Sequence, residues 1–198
     1  MRMPRPSRSQ LGTGALVVAA LAVGQTLNER LPDGSDATRL FERHVRMGQT
    51  LEMRTGDFTP RSVEGATTIL RSIGSSIRSP GVVVVLSFDF VSRGEPSSIR
   101  YGELRDADGR VTVFGPTGDR NLVTCGARTV GIVVHCTAVV EADPDTLAGS
   151  TIALSGDELD PRFDDMAVVD LQISDADVRA WTATEDLEVD VYEVAGLP

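Results

Sequence analysis

The sequence predicts a β-sheet domain in which about seven to nine strands form a two-layer antiparallel sandwich, an all-β fold. Two observations support this fold class. Apolar residues alternate with polar ones over much of the chain instead of recurring at helical spacing, and turn-forming residues return about every 8 to 15 positions. Each alternating segment has one apolar face, and two sheets packed face to face would bury these faces.

The clearest predicted strand covers residues 81–92, GVVVVLSFDFVS. Ser87 and Asp89 lie on one face, which we expect to become increasingly wet along the strand. The opposite face is expected to belong to the core, and it carries Val82, Val84, Leu86, Phe88 and Phe90.

The other strands follow from the same alternation. Residues 99–105 and 110–114 flank the pair Asp108-Gly109, and Asp-Gly between two alternating runs is a strong hairpin signal. Further strands are predicted at residues 44–54, 62–71, 129–141, 150–155 and 165–173.

The N-terminus has the pattern of an export signal. Arginines at positions 2, 5 and 8 precede a charge-free stretch, residues 9–28, so we expect the N-terminus in the cytoplasm and the remainder outside. Residues 11–27 would form a helix of about 25 Å, the lower limit for crossing a bilayer. They predict a transmembrane anchor, or alternatively a signal peptide cleaved near Ala22.

The chain is predicted to contain five parts, with single-pass membrane topology and the folded domain outside the cell membrane. If the signal is cleaved, the domain is secreted instead. The parts are a cytoplasmic basic flank (1–10), the anchor or signal peptide (11–27), a polar stalk (28–42), the sandwich domain (43–173) and an acidic C-terminal extension (174–198).

The chain is acidic, with a formal net charge of −10. Nucleic-acid binding requires clustered positive charge for phosphate contacts, and the sequence contains no such cluster, so we expect no nucleic-acid partner. The expected partner of a domain outside the membrane is an unknown membrane or envelope protein.

Cys125 and Cys136 are the only cysteines, which in an exported protein predicts a disulfide. Residues 126–131 (GARTVG) can turn the chain so that the flanking segments run antiparallel and the sulfur atoms come within bonding distance. A zinc site would need two more ligands, and His44 and His135 are the only histidines. His135 and Cys136 are strand neighbours that point to opposite faces, so no thiol–imidazole dyad is expected.

Two acidic clusters are candidates for a calcium site, because calcium prefers several oxygen ligands. Neither matches the twelve-residue calcium loop with its terminal glutamate, and Asp-Pro and Asp-Gly are common turn formers. Solvated turns are the favoured interpretation, and a calcium or small-ligand site is the alternative. The candidate ligands are Asp106 and Asp108 in one cluster and Asp157, Asp160, Asp164 and Asp165 in the other.

The sequence predicts neither enzyme activity nor a cofactor. A Gly-x-Ser-x-Gly nucleophile motif is absent, and two histidines leave little choice of general base. A glycosidase would need aromatic side chains along its cleft, whereas the chain has one Trp, two Tyr and six Phe, several of them assigned to core strands. A hydrolase is therefore the least favoured class.

The C-terminal extension contains a predicted helix and a predicted strand. Ser174 is expected to cap a helix over residues 175–183. Trp181, the only tryptophan, either anchors this helix on the sandwich, which is the favoured interpretation, or binds a partner. Residues 187–194 (LEVDVYEV), which include Tyr192, alternate in polarity and can add an edge strand to the chain's own sheet or to that of a partner. Trp181 and Tyr192 are thus the candidate partner-binding residues.

Several strand and turn patterns occur in a recognisable order, at residues 45–51 (VRMGQTL), 81–91, 104–110 (LRDADGR), 133–141 and 159–167 (LDPRFDDMA). Over residues 43–173 this order resembles a family of bacterial cell-surface domains of unknown function with a telokin-like, immunoglobulin-like β-sandwich. The resemblance implies an immunoglobulin-like fold in a membrane-tethered or secreted protein, and it carries over no catalytic residues. The cysteine pair and the acidic extension depart from the pattern.

These predictions indicate a non-enzymatic, membrane-anchored extracytoplasmic module for protein interaction or envelope support. A stable acidic scaffold with short loops presents surface without concentrating reactive groups. An exported domain that binds calcium or another small ligand is the alternative function.

Overall fold

The computed structural model describes residues 41–71, 76–117, 121–127, 129–156, 165–189 and 192–194. Within these residues the chain forms thirteen strands and two helices, and the strands make two sheets that pack as a sandwich. The predicted β-sandwich is confirmed. The predicted hydrophobic helix at residues 11–27, the basic flank before it and the stalk up to residue 40 lie outside the described residues.

The first sheet contains five strands. In spatial order they are β1 (Phe41–Val45), β11 (Asp165–Asp170), β10 (Thr151–Ser155), β6 (Tyr101–Arg105) and β7 (Val111–Phe114). β1 and β11 run parallel, and the other neighbours are antiparallel. β1 and β7 are therefore the edges of this sheet.

The second sheet contains eight strands. Six of them cross the sheet in the order β12 (Asp186–Val189), β3 (Gly56–Arg71), β4 (Ser76–Ser92), β9 (Val133–Ala142), β8 (Leu122–Ala127) and β5 (Ser97–Ile99). Two short strands complete it, because β2 (Leu51–Glu52) pairs with β3 and β13 (Tyr192–Val194) pairs with β9. Only β12 and β3 run parallel among these pairs.

The main core lies between the two sheets. On β4 the predicted core face is confirmed, because all five of its apolar side chains are buried there. Among them, Phe88 has its ring centroid 5.0 Å from that of Phe58 on β3. Facing them from the first sheet are Ile152, Leu154 and Val169. Alternation along this strand therefore indicates the direction of the core correctly.

The opposite face of β4 is less exposed than predicted. Val83 and Val85 belong to a second buried cluster with Val139 from β9 and Val189 from β12. Packing with strands of the same sheet, including one from the far end of the chain, thus buries residues on a face that alternation alone marks as outward. Asp89, farther along the same face, is also buried, with 6% of its surface exposed.

The observed strands differ from the predicted ones in three respects: one predicted strand is divided, one observed strand is not predicted, and the number of strands is larger. A continuous strand at residues 44–54 is wrong, because β1 ends at Val45 and β2 begins at Leu51. Gly48 between them has a φ of +76°, a conformation that glycine adopts without strain. β8 is not among the predicted strands, and the total exceeds seven to nine because several strands are only two to four residues long, too short to show alternation.

Two parallel pairings correct the prediction of a purely antiparallel sandwich. β1 pairs with β11, and β12 pairs with β3, in each case between segments far apart in the sequence. Antiparallel neighbours can be joined by short turns, whereas parallel neighbours need long crossover connections, so the local pattern of a strand does not reveal such a partner.

Two helices accompany the strands in the described residues. α1 (Pro144–Leu147) is a single turn with Asp143 as its N-cap. α2 (Asp175–Ala183) begins with a capping box between Ser174 and Asp177, at the residues where the sequence predicts a helix. No helix in this part of the chain has the length and hydropathy needed to span a membrane.

Candidate functional site

A buried carboxylate lies on the outer face of the second sheet. Asp89 on β4 is directly opposite His135 on β9 in the strand register, and its side chain is only 8% exposed. Arg61 on β3 occupies the irregularity in the β3–β4 register between Pro60 and Ser62, where a bulge re-aims a side chain. Strand register and a bulge therefore bring Asp89, His135 and Arg61 together.

Both oxygens of the Asp89 carboxylate are engaged. Oδ1 lies 2.5 Å from Nδ1 of His135, and Oδ2 accepts hydrogen bonds from Nε of Arg61, at 2.7 Å, and from its Nη2. An ionised carboxylate only accepts hydrogen bonds, so Nδ1 carries the proton of this contact and Nε2 is left for other partners. The Arg61 and His135 side chains are 56% and 50% exposed. Asp89 therefore fixes two polar groups that face solvent.

These groups line a cleft of about 320 Å³, which we call the outer cleft. Ser87 and Thr137, the cross-strand pair next to Asp89 on the same face, also line it. Glu64 from β3 and Glu188 from β12 complete the polar lining. Since β3, β4, β9 and β12 all contribute, the outer cleft depends on the pairing of the C-terminal strand.

The predicted disulfide is confirmed. Cys125 on β8 and Cys136 on β9 are bonded, with their Cα atoms 5.0 Å apart. Both cysteines are buried in the main core, whereas His135 lies on the outer face and contacts Asp89. Cys136 and His135 therefore point to opposite faces, as strand geometry predicts.

Asp106 is the centre of the turn between β6 and β7. Its carboxylate accepts hydrogen bonds from the N–H groups of Asp108 (3.0 Å) and Arg110 (2.8 Å), from Nε of Arg110 (2.9 Å) and from the hydroxyl of Thr146 (3.0 Å). Although desolvation raises the pKa of Asp106, the hydrogen bonds from Arg110 and Thr146 and the charge of Arg110 hold it below its usual range. The calcium candidates Asp106 and Asp108 therefore lie in a hydrogen-bonded turn, and the bond from Thr146 connects this turn to α1.

We expect Asp106→Asn to make the free energy of unfolding depend less on pH in the acidic range. Folding lowers the pKa of Asp106, so its ionised form stabilises the folded state above about pH 4, the usual pKa of an unfolded aspartate. That contribution is lost as the pH falls through the lowered folded-state pKa. The free energy of unfolding, measured from about pH 6 down to about pH 2, should fall less steeply in the variant. Asp108→Asn in the same turn is the control, and an equal change of slope there would contradict the assignment.

Asp165 lies at the other end of the first sheet from Asp106. In the strand register Asp106 follows the Arg105–Thr151 pair, whereas Asp165 begins β11 at the opposite end. The Asp165 carboxylate accepts a hydrogen bond from the N–H of Arg54 at 2.9 Å. In the described ranges, no three or more His, Cys, Asp or Glu residues are arranged to hold a metal ion. Outside those ranges lie Asp157, Asp160 and Asp164.

Trp181 and Tyr192, the candidate partner-binding residues, lie in the C-terminal extension. Trp181 is partly buried against the main core, and its indole lies so close to Gly65 of β3 that a Cβ atom there would come within 2.5 Å of the ring. Trp181 thus packs as an anchor of α2 on the sandwich would. A role of Trp181 in partner binding stays a prediction. Tyr192 pairs with Cys136 in the strand register. The side chain of Tyr192 lies outside the part of the chain that the structure describes. Both C-terminal strands pair with the chain's own second sheet.

An edge strand of the first sheet carries two exposed valines. Val111 and Val113 on β7 are 52% and 58% exposed, next to Arg105 and Glu103 of β6 in the register. Natural proteins usually protect a sheet edge with charge, proline or a covering segment. We call residues 111–113 the β7 edge.

An ion-pair network crosses the outer face of the first sheet. Arg105 on β6 donates to Glu42 on β1 at 2.9 Å and to Glu103 at 2.8 Å, and the hydroxyl of Tyr101 donates to Glu103 at 2.6 Å. The hydrogen bond to Glu42 raises the pKa of Arg105, and burial together with the bond to Glu103 raises the pKa of Tyr101. Because the network links β6 to β1 across two strands and covers buried Met166, its role is structural.

The sequence does not reveal the Asp89 cluster. Alternation places Asp89 on the outward face and His135 on the face opposite Cys136, but it does not indicate that the two side chains meet. Their contact depends on the β4–β9 register, and the contact of Arg61 depends on a bulge, neither of which local alternation determines. One signal is available, namely a charged residue inside the otherwise apolar run of residues 81–92.

No protein-family model matches the chain, and no curated protein gives a significant match. Among solved structures, the chain is similar to the yjhA protein from Bacillus subtilis, with a TM-score of 0.44 and 15% identity, covering 63% of this chain and 99% of that chain. It is also similar to an uncharacterized β-sandwich protein from Clostridium difficile 630, with a TM-score of 0.41 and 10% identity, covering 66% of this chain and 95% of that chain.

Proposed function

We propose that the chain is a non-enzymatic immunoglobulin-like module outside the cytoplasmic membrane, anchored by residues 11–27, that binds a membrane or envelope protein. The β7 edge is the observation that carries this proposal. Its two valines are 52% and 58% exposed on the last strand in the order of the first sheet. A partner strand that added to this edge would bring its own side chains beside these valines and cover part of their exposed surface.

An edge strand has the chemistry needed to bind an extended segment. Its outward N–H and C=O groups can form main-chain hydrogen bonds with a partner strand, and alternate side chains supply specificity. The sequence of β7, VTVF, contains no charge or proline that would oppose such pairing. Covering the exposed half of each valine would contribute about 1 kcal/mol per side chain.

The disulfide supports a location outside the cytoplasm. Disulfides persist in oxidising compartments and are rare where thiols are kept reduced. Cys125 and Cys136 are bonded in the core of the sandwich. The export pattern at the N-terminus and the polar stalk at residues 28–42 fit the same location.

Photocrosslinking in intact cells that express the full chain tests this proposal. A photoreactive residue at Val111 is expected to form an adduct with one membrane or envelope protein, because the β7 edge would pair with it directly. Adding Val113→Asp to the same chain should reduce the adduct about fivefold or more, since binding would then bury an unpaired charge.

Val130 provides the matched control, because it is also a valine with substantial exposure, 42%, but it lies in the loop between β8 and β9. A photoreactive residue there should not capture the same protein. Equal capture at Val130, no adduct at Val111, or an adduct that Val113→Asp leaves unchanged would each contradict the proposal.

A further inference from the structure

The β7 edge has a sequence that can pair with itself. Its residues are Val111, Thr112 and Val113, so the side chains read the same in both directions about Thr112. If two such strands pair antiparallel and are centred on Thr112, Val111 of each copy lies opposite Val113 of the other. Thr112 then lies opposite its own counterpart. Pairs of β-branched residues stabilise antiparallel strands, so this register is favourable at all three positions.

The valines of the β7 edge lie on the outer face of the first sheet. Val111 is in register with Arg105, and Val113 is in register with Glu103, whose ion pair lies on that face. In the self-paired register the four valines of two copies would form one apolar patch. Each row of side chains across it would begin at Glu103 of one copy and end at Arg105 of the second copy. The charges that flank the patch are therefore opposite in sign.

Charge does not oppose this register on the strand itself. The chain has a net charge of −10, so two copies repel each other wherever their carboxylates meet. β7 contains no charged residue. Just outside it, Arg110 would face Phe114 of the second copy, and Asp108 would face Pro116. The β7 edge is thus a place where two acidic chains can meet without opposing like charges.

The other edge of the first sheet is less suited to be the partner. β1 carries the charged or polar residues Glu42, Arg43 and His44, and charged side chains discourage pairing at a sheet edge. Arg43 also donates a hydrogen bond to the carbonyl oxygen of Glu52 on β2. Pairing of β7 with β1 of another copy would leave free edges and continue into a filament, whereas pairing of β7 with β7 closes after two copies.

We propose that the partner of the β7 edge is a second copy of this chain. The five-stranded first sheets of the two copies would join into one continuous sheet with two-fold symmetry. This inference rests on the proposed function, because it names the partner of the same edge. The contact is short, so it should be weak between chains free in solution. Two copies anchored in one membrane would meet at a higher effective concentration.

Disulfide crosslinking of a Thr112→Cys variant of the full chain in intact cells tests the proposal. Thr112 is exposed, and both natural cysteines are already bonded to each other. In the proposed dimer the two Cα atoms at this position are about 5 Å apart, within the range that a disulfide bridges. Diamide oxidises the two thiols and is reduced to the hydrazine. We expect a product of twice the mass of the chain, which a reductant removes and which carries both tags when two differently tagged copies are expressed together.

Val111→Cys and Val113→Cys are the matched controls on the same strand. In the proposed register, two copies of either variant would hold their new cysteines about 8 Å apart, too far for a disulfide. Each should therefore give less dimer than Thr112→Cys, by about fivefold or more. Expressing Val111→Cys together with Val113→Cys should restore the product, because these positions face each other. Equal yields from all three single variants would show that no fixed register exists and would overturn the proposal.

Two further outcomes separate this inference from the proposed function. If Thr112→Cys gives no dimer while the photoreactive residue at Val111 captures a different membrane or envelope protein, self-pairing is overturned and the proposed function stands. If Thr112→Cys gives no dimer and the photoreactive residue captures nothing, both are overturned.

Discussion

Replacing Phe88 with alanine should lower the free energy of unfolding by about 4 kcal/mol. The side chain is 1% exposed in the main core, and its ring centroid lies 5.0 Å from that of Phe58. The substitution loses the transfer free energy of the ring and leaves a cavity that close-packed neighbours fill only in part. The aromatic contact with Phe58 accounts for about 1 kcal/mol of the loss.

Denaturant titration of the full chain, followed by the fluorescence of Trp181, measures this loss. Trp181 is the only tryptophan and packs against the same core, so its emission reports on the sandwich. Phe41→Ala is the matched control, because Phe41 is 63% exposed and its truncation should change stability by less than about 0.5 kcal/mol. Equal effects of the two substitutions would mean that β4 does not pack as described.

The sequence predicts the fold best where one strand carries a long alternation. The core face of β4 could be identified because five apolar side chains recur at every second position, which fits a strand and no helix. The β6–β7 hairpin could be identified because Gly109 after Asp108 supplies the positive φ of 79° that this turn uses. In both cases the decisive information is local.

Prediction fails where the information is tertiary. The parallel pairings of β1 and β12 depend on the packing of the whole sandwich. The sequence of neither strand indicates which segment lies beside it. The same cause explains why Val83 and Val85 are buried, since the pairing of β12 within the sheet lets Val189 pack in the same cluster on a face that the pattern marks as outward. Short strands such as β2 and β5 have too few residues to show a period.

The candidate sites divide in the same way. The disulfide could be predicted from the cysteine count, the export pattern and the intervening turn, all of which are readable along the chain. The contact between Asp89 and His135 requires the β4–β9 register, because a shift of one residue would turn His135 into the core. The polar lining of the outer cleft follows from that register and from β12, so it becomes visible only in the fold.

Replacing both cysteines with alanine should lower the free energy of unfolding by about 3 kcal/mol, because the bond closes a short loop in the unfolded chain. The disulfide links β8 to β9, and their register pairs cover only Leu122, Val123 and Thr124 of β8. The later residues of β8 pair with β5 instead. Without the bond, we expect this end of β8 and the attached β5 to open more readily than the centre of the second sheet.

Hydrogen exchange before and after reduction tests the local part of this prediction. Protection should fall most in β8 and β5, whereas β3 and β4, which pair along most of their length, should change little. Reductant should destabilise the wild type by about the same 3 kcal/mol and leave the double alanine variant unaffected. Unchanged protection in β8 and β5 after reduction would mean that strand pairing alone holds this edge. The disulfide would then stabilise the sandwich through its unfolded state without restraining the folded one.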